Sequence, residues 1–378
     1  MTPSRDALPL QDIKVLDFSF HLPGPLASLI LAEAGAEVIK VERPETGDEL
    51  RSIPPFVAGE GIGFAMLNRG KKSVSLDLKD PHSISALAPL LRDVDILIDQ
   101  FRPGVMARLG LGYEAVRKIN PGIIYCSITG YGQSGPNSMK PGHDLTYCAE
   151  AGLLSLTKDG DGSPAVPQVT IADIAGGSYP AVMNILLALR RKEKTGLGCH
   201  LDIAMSRNLF ALQYWAVGEA AVTGRFPEPS GSLLNGGSPR YAIYRTSDGR
   251  HLAAAPIEDR FWLRFCELIE LPEQYRDDRQ DAEATRAAIA AIIARNPADH
   301  WETLLGTECC CAKVRDLDEA LADEHFRSSG AFATRLRIAD GQTVTAATVP
   351  VDDALSRSRD PLSAPQLGEH NALLGKRG

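Results

Sequence analysis

The sequence lacks a C-x-x-C pair, any Cys and His at zinc spacing, any dense block of Lys and Arg, and any stretch reaching about 18 apolar residues. These absences argue against a zinc fold, a nucleic-acid-binding patch and a membrane span. Met1 to Leu10 has neither the basic start nor the long apolar run of an export signal. The 40 Lys and Arg are outnumbered by 48 Asp and Glu, a net charge of -8, so nonspecific attraction to nucleic acid or anionic lipid is disfavoured. Any anionic ligand needs local cations. The seven cysteines are odd in number and include the adjacent Cys309, Cys310 and Cys311, a pattern that suits a reducing cytoplasm rather than a disulfide framework.

What is present is ordinary for a folded chain: 44% hydrophobic and 23% charged residues. Its 378 residues exceed the usual size of one domain, which predicts two domains or one with a large excursion. The first hundred residues alternate short β-branched runs with helical patterns, the mark of βαβ units and a parallel sheet. Ile13 to Phe18 reads as a buried strand. Pro23-Gly24-Pro25 then turns the chain into a helix from about Leu26 to Ala34, which Gly35 ends before a strand over Glu37 to Val41. Further strands are expected over Ser73 to Leu78, Val94 to Ile98 and Ile123 to Ile128, with a helix beginning near Pro81.

Gly130 to Gly142 reads as loop, and a long helix is expected from about Gly177 to Lys192. A helical stretch around Met205 to Val222 leads into a Gly-, Ser- and Pro-dense linker, Arg225 to Pro239. A hairpin over Tyr241 to Ala255 and helices to about Ala322 make a smaller α+β unit, and the tail from Pro361 should be extended.

Several phrases stand in a fixed order along nearly the whole chain. They are Asp17-Phe18 with Pro23-Gly24-Pro25, Val38-Ile39-Lys40-Val41-Glu42, Asn68-Arg69-Gly70-Lys71-Lys72-Ser73, Phe101-Arg102-Pro103-Gly104 and Gly130-Tyr131-Gly132-Gln133-Ser134-Gly135-Pro136. Pro141-Gly142-His143-Asp144, Ala172-Asp173-Ile174-Ala175-Gly176-Gly177, Lys194-Thr195-Gly196 and Leu234-Asn235-Gly236-Gly237 follow. Together they resemble the class III CoA-transferase superfamily, which includes formyl-CoA and carnitine CoA-transferases, and most closely its alpha-methylacyl-CoA racemase branch. The resemblance implies an α/β fold with a large Rossmann-like domain built from both chain termini, a smaller α+β domain, and an interlocked homodimer. In those terms the chain divides into 1–200, a linker over 201–239, a small domain over 240–330 and a return segment over 331–378. No permanently bound cofactor is implied; coenzyme A enters as part of an acyl-CoA substrate.

A proton beside a thioester carbonyl is very weakly acidic, so its removal needs a positioned base and stabilisation of the enolate oxygen. Racemisation needs two acid/base groups, one for each face of the carbon. His143 and Asp173, both close to Gly, are candidates on residue type. His143 lies in a turn, where its bland reading is an ordinary loop histidine. Asp173 falls at the N-cap or first turn of the long helix, a structural place that also keeps a carboxylate ready to act. The resemblance makes His143 a racemase base and Asp173 the central catalytic residue. In transferases the matching Asp attacks the acyl-CoA, giving a mixed anhydride and then an aspartyl-CoA thioester.

By the same resemblance Glu258 supports the catalytic His, Asn235, Gly236 and Gly237 form a loop that closes over the site, and Arg43, Lys71, Phe101 and Arg108 contact the nucleotide. Their bland readings are a helix cap, a plain turn and solvated surface charge. Val169 departs from the racemase pattern, which often has Asn four residues before the catalytic Asp; the adjacent Gln168 is the residue able to substitute. A nucleotide-dependent oxidoreductase fails on detail. Ser19 to Pro25 lacks G-x-G-x-x-G, and its prolines remove backbone donors. A non-catalytic acyl-CoA-binding relative would show affinity without turnover.

Overall fold

The computed structural model describes residues 8–159, 162–338, 341–357 and 360–375; the first seven residues and the last three of the sequence lie outside this description. The chain forms two compact units, one from Met1–Ala151, Pro167–Leu212 and Glu324–Gly378, the other from Gly152–Val166 and Gln213–Asp323.

In the first unit, β1 (Lys14–Phe18), α1 (Pro23–Glu33) and β2 (Glu37–Glu42) form the expected βαβ start. Pro23 and Pro25 occupy the first turn of α1, where a missing N–H costs nothing. Next come α2 (Ile62–Asn68), β3 (Lys72–Ser75), α3 (Ser83–Asp93), β4 (Ile96–Asp99), α4 (Val105–Arg108), α5 (Tyr113–Ile119) and β5 (Ile124–Thr129). After α6 (Asp144–Glu150), a π-helical turn over Ala172–Ser178 runs directly into α7 (Tyr179–Thr195), followed by β6 (Cys199–Ala204) and α8 (Met205–Asn208).

All six strands pair in parallel, in the order β3-β2-β1-β4-β5-β6. Such a sheet is covered on both faces, which explains the almost uninterrupted burial of Val15, Leu16, Val38, Ile39, Ile96, Leu97 and Ile98. The order reverses direction between β1 and β4, opening a crevice at the carboxyl ends of those strands.

The helical segment from Ala172 to Thr195 is long and apolar enough to cross a membrane by length and composition alone. Ala181, Ile185, Ala188 and Leu189 are buried, and the helix packs on α1, β5 and β6. The return segment pairs Arg335–Arg337 with Thr343–Thr345 and then reaches the edge of the sheet. There Asn371 Oδ1 accepts the N–H of Ser75 at 2.7 Å and Ser363 O accepts that of Gly70 at 2.9 Å. From Pro361 to Gln366 it has no helix, with Leu362 bridged to Leu336, as the expected extended tail would be; it then turns into a short 3-10 turn, Asn371–Leu373.

The second unit holds α9 (Tyr214–Thr223), a three-stranded antiparallel sheet of Ala242–Arg245, His251–Ala254 and Cys311–Lys313, and helices α10 (Asp259–Leu268), α11 (Ala282–Ile293) and α12 (Ala298–Leu305). Trp262, Phe265, Ile289, Ile293, Trp301 and Leu305 fill its core. The single helix expected over Met205 to Val222 is broken: α8 gives way to a 3-10 turn at Leu209–Ala211, and the chain changes unit between Leu212 and Gln213.

Candidate active site

Below the crevice lies a buried ionic layer that sets the loop leaving β1. Asp17 is fully buried and accepts the N–H of Ser19 at 2.8 Å, the Ser19 hydroxyl and the Ser28 hydroxyl at 2.5 Å. Lys40 donates to Ser19 O at 2.7 Å and pairs with Asp48 at 2.9 Å. Burial pushes the Asp17 carboxyl up, but the ammonium groups of Lys71 and Lys40 overcome it and hold the group below its usual range. Gly24 must be glycine here, because an added Cβ would fall 2.1 Å from Ser19 Cβ. Its N–H donates to Gln100 Oε1 at 3.0 Å, tying the loop after β1 to the loop after β4.

Those two loops bring Phe20 against Phe101, ring centres 5.8 Å apart at 61°. Both rings border two cavities. One, of about 470 Å³, is lined by His21, Arg102, Gly130, Lys140, His143, Tyr147, Asp173 and Met205 among others. The other, about 300 Å³ and mostly apolar, includes Val41, Arg43, Leu76, Leu78, Val105 and Leu109.

Asp173 is the second residue of the π-helical turn. Gly176 and Gly177 let that turn lie against the chain leaving β6, since a Cβ on Gly176 would meet Met205 O at 2.6 Å. The backbone N–H of Asp173 donates to Asp144 Oδ1 at 2.9 Å. Burial first, and the nearby Asp144 carboxylate second, raise the Asp173 pKa to about 7. A carboxyl group in that range can release or hold a proton near neutral pH. Val169 presents no polar atom and Gln168 is exposed, so Asp144, not the racemase-type Asn, orients this turn.

His143 occupies the N-cap position of α6, exposed, with extended backbone. Its N–H donates to Thr146 Oγ1 at 3.0 Å, and that hydroxyl donates back to His143 O at 2.8 Å. Because Asp144 follows directly, the same helix start that presents His143 also fixes Asp173. Both side chains line one cavity.

The remaining predicted residues separate. Phe101 borders both cavities, and Arg43 lines the apolar one while pairing with Glu49, which also receives His21 Nε2 at 2.7 Å. Lys71 is turned inward. Its Nζ is buried and donates to Pro25 O at 2.9 Å and to Ser28 Oγ and Asn68 Oδ1 at 2.8 Å, with Asp17 at 3.6 Å. With its donors taken up inside, the ammonium belongs to the ionic layer. Arg108, exposed at the end of α4, is not among the residues lining the two cavities.

Glu258 and the Asn235–Gly237 loop fold in the second unit. Glu258 takes the N-cap position of α10 without a side-chain cap bond. Gly236 has φ +106°, a Cβ on Gly237 would stand 2.0 Å from Gly231 O, and Arg286 donates to Gly236 O at 2.6 Å. Only glycine fits this turn.

Sequence reasoning missed Asp144, Arg102, Lys140, Phe20 and Tyr147. Arg102 and Asp144 stood inside quoted phrases, next to Phe101 and His143, so adjacency was the available signal. No pattern foretells that Asp144 meets a backbone N–H twenty-nine residues away.

A family model described as CoA-transferase family III matches residues 10–371. A succinyl-CoA:glutarate CoA-transferase of Mus musculus is 35% identical over 76% of this chain, which spans 66% of that relative's length, just under two thirds. An alpha-methylacyl-CoA racemase of Homo sapiens is 32% identical over 86% of this chain and 82% of its own. The solved structure of Rv3272 from Mycobacterium tuberculosis superposes with a TM-score of 0.84 at 28% identity, covering 98% of this chain and 99% of that one.

Proposed function

The chain belongs to CoA-transferase family III, whose relatives include enzymes named as CoA-transferases and as acyl-CoA racemases, and from that premise we propose that it moves a proton at the carbon beside an acyl-CoA thioester, racemising a 2-methylacyl-CoA. The observation that carries this reading is the sharing of one cavity by His143 and an Asp173 whose pKa is raised to about 7. One group takes the α-proton, leaving an enolate, and the other returns a proton to the opposite face; their roles exchange with the substrate's handedness. Arg102 and Lys140 are the cavity's cationic resources for the enolate oxygen. The apolar cavity with Arg43 suits the nucleotide end of coenzyme A, and Phe20 and Phe101 flank the path between them.

Val169 and the succinyl-CoA:glutarate relative favour a second reading, CoA transfer between carboxylic acids. There Asp173 attacks the thioester carbonyl and expels CoA thiolate. The thiolate then attacks the Asp173 carbonyl of the mixed anhydride, releasing the first acid and leaving aspartyl-CoA; the acceptor acid attacks that thioester, expelling CoA thiolate and forming a second mixed anhydride, whose acceptor carbonyl the thiolate attacks to give the new acyl-CoA and free the Asp173 carboxylate.

Incubation of a 2-methylacyl-CoA in heavy water with wild type and His143→Ala tests the two. Deuterium at the α position in wild type, with inversion that disappears in His143→Ala, supports racemisation; unchanged substrate mass, with hydroxylamine capturing Asp173 as a hydroxamate, supports transfer instead.

The working form is proposed to be an interlocked homodimer. Tyr179, Met183, Leu186 and Leu187 form an outward apolar stripe on α7, between 44% and 63% exposed. A cytoplasmic setting suits the seven free cysteines.

A further inference from the structure

Asp99, the last residue of β4, is 4% exposed and forms hydrogen bonds with no cation. Its Oδ1 accepts the N–H of Phe101 at 3.1 Å, and its Oδ2 accepts the Ser127 hydroxyl at 2.7 Å. Ser127 Oγ lies 3.0 Å from His200 Nε2. Strand register produces this line, since Asp99 stands opposite Ser127 and Tyr125 opposite His200 on successive parallel strands. A hydroxyl has one proton; because Ser127 gives it to the carboxylate, Nε2 of His200 must donate to Ser127. The chain therefore runs from an exposed imidazole, stacked on Tyr113 at 5.2 Å, through a hydroxyl, to a buried carboxylate.

Burial raises the Asp99 pKa to about 6 against the opposing bonds from Ser127 and the Phe101 N–H. A carboxylate buried without a counter-cation is costly, and an apolar residue would pack here more cheaply. What Asp99 supplies is an acceptor for the backbone of Phe101. That ring borders both cavities of the proposed site and a third, of about 490 Å³, lined by Asp99, Ser127 and His200 themselves. Gln100, by accepting the Gly24 N–H, holds the same loop from its other side.

We propose that Asp99 is a positioning residue of the acyl-CoA site: it fixes Phe101 and Arg102 through the Phe101 N–H, and Ser127 and His200 hold Asp99 in turn. This rests on the reading that the two cavities receive an acyl-CoA. Its substrate contacts come only through Phe101 and Arg102, so its loss should weaken binding more than chemistry.

The test compares wild type, Asp99→Ala, Asp99→Asn and Ser127→Ala for KM and kcat with acyl-CoA, for Kd of coenzyme A by calorimetry, and for Tm. Asp99→Ala should raise KM and Kd about tenfold, the equivalent of one lost charge-assisted hydrogen bond, while kcat changes less than about threefold. Asn should restore values within about twofold. Its Oδ1 still accepts from Phe101, while its amide donates to Ser127, which then donates to a reversed His200. Ser127→Ala should raise KM about threefold, and it carries the test if Asp99→Ala does not fold. A lowered Tm with KM unchanged, or Asn no better than Ala, overturns the proposal while wild type remains active. A wild type with no affinity for coenzyme A overturns the acyl-CoA reading, and this one with it.

Discussion

A carboxyl group with a pKa near 7 is divided between its two forms at neutral pH, which is what a group that both takes and returns a proton requires. At Asp173 that condition is produced by partial burial and by Asp144, whose oxygen holds the Asp173 N–H and whose charge opposes ionisation. The same arrangement has a cost in stability. The charged form is disfavoured in the folded chain relative to the unfolded one, where the ordinary value is 3.8. The cost is absent below pH 3.8, grows through the window to about 7 and is complete above it. Asp173→Asn removes the charge and should abolish turnover. It should also stabilise the fold by about 1–2 kcal/mol at pH 8, after allowance for solvent screening, and by nothing measurable at pH 4. Thermal melts of both proteins at the two pH values check the sign; an equal shift at both would contradict it.

Among the elements, the ionic layer under β1 and β2 explains why a parallel sheet with apolar strands carries Asp17, Lys40, Glu42 and Lys71 in its interior. Asp17, Lys40 and Glu42 hold the loops that leave β1 and β2, and Lys71 ties α1 to α2 beneath them. Lys71→Met should cost about 3 kcal/mol by leaving Asp17 under-compensated, with coenzyme A affinity in the remaining folded enzyme changed less than about threefold. Calorimetric binding with denaturant unfolding distinguishes this from a phosphate contact, whose loss would weaken binding without lowering stability.

The strands were legible wherever both faces are buried, because continuous apolar runs such as Val15-Leu16 and Ile96-Leu97-Ile98 have no other use. β3 stops at Ser75 instead of Leu78 because Asp77 turns the chain, accepting the Lys79 N–H at 2.9 Å. The phrases around Asp173 and His143 marked them as candidates, but not that the two line one cavity. The burial of Lys71 was not legible, because it depends on Asp17, Ser28 and Asn68, which only folding assembles. The break after α8 carries no Gly or Pro to announce it.

For the whole molecule, α7 joins two demands. Its inner face packs on the sheet while its outer face exposes Met183 and Leu187 at 57% and 63%, which is why the helix reads as apolar all round. The proposed dimer would cover this outer face. Leu187→Glu should shift the protein from dimer to monomer in sedimentation velocity and lower activity at least tenfold, because a charge is forced against an apolar partner. A dimer of unchanged stability would remove α7 from the interface.

The placement of Asp173 against the reacting carbon is tested most directly by a crystal structure with a non-hydrolysable thioether analogue of an acyl-CoA. The predicted result has the nucleotide in the apolar cavity beside Arg43, the pantetheine passing Phe20 and Phe101, and the α-carbon within about 3.5 Å of an Asp173 oxygen. An analogue bound with that carbon elsewhere, and with Asp173 untouched, would contradict the account.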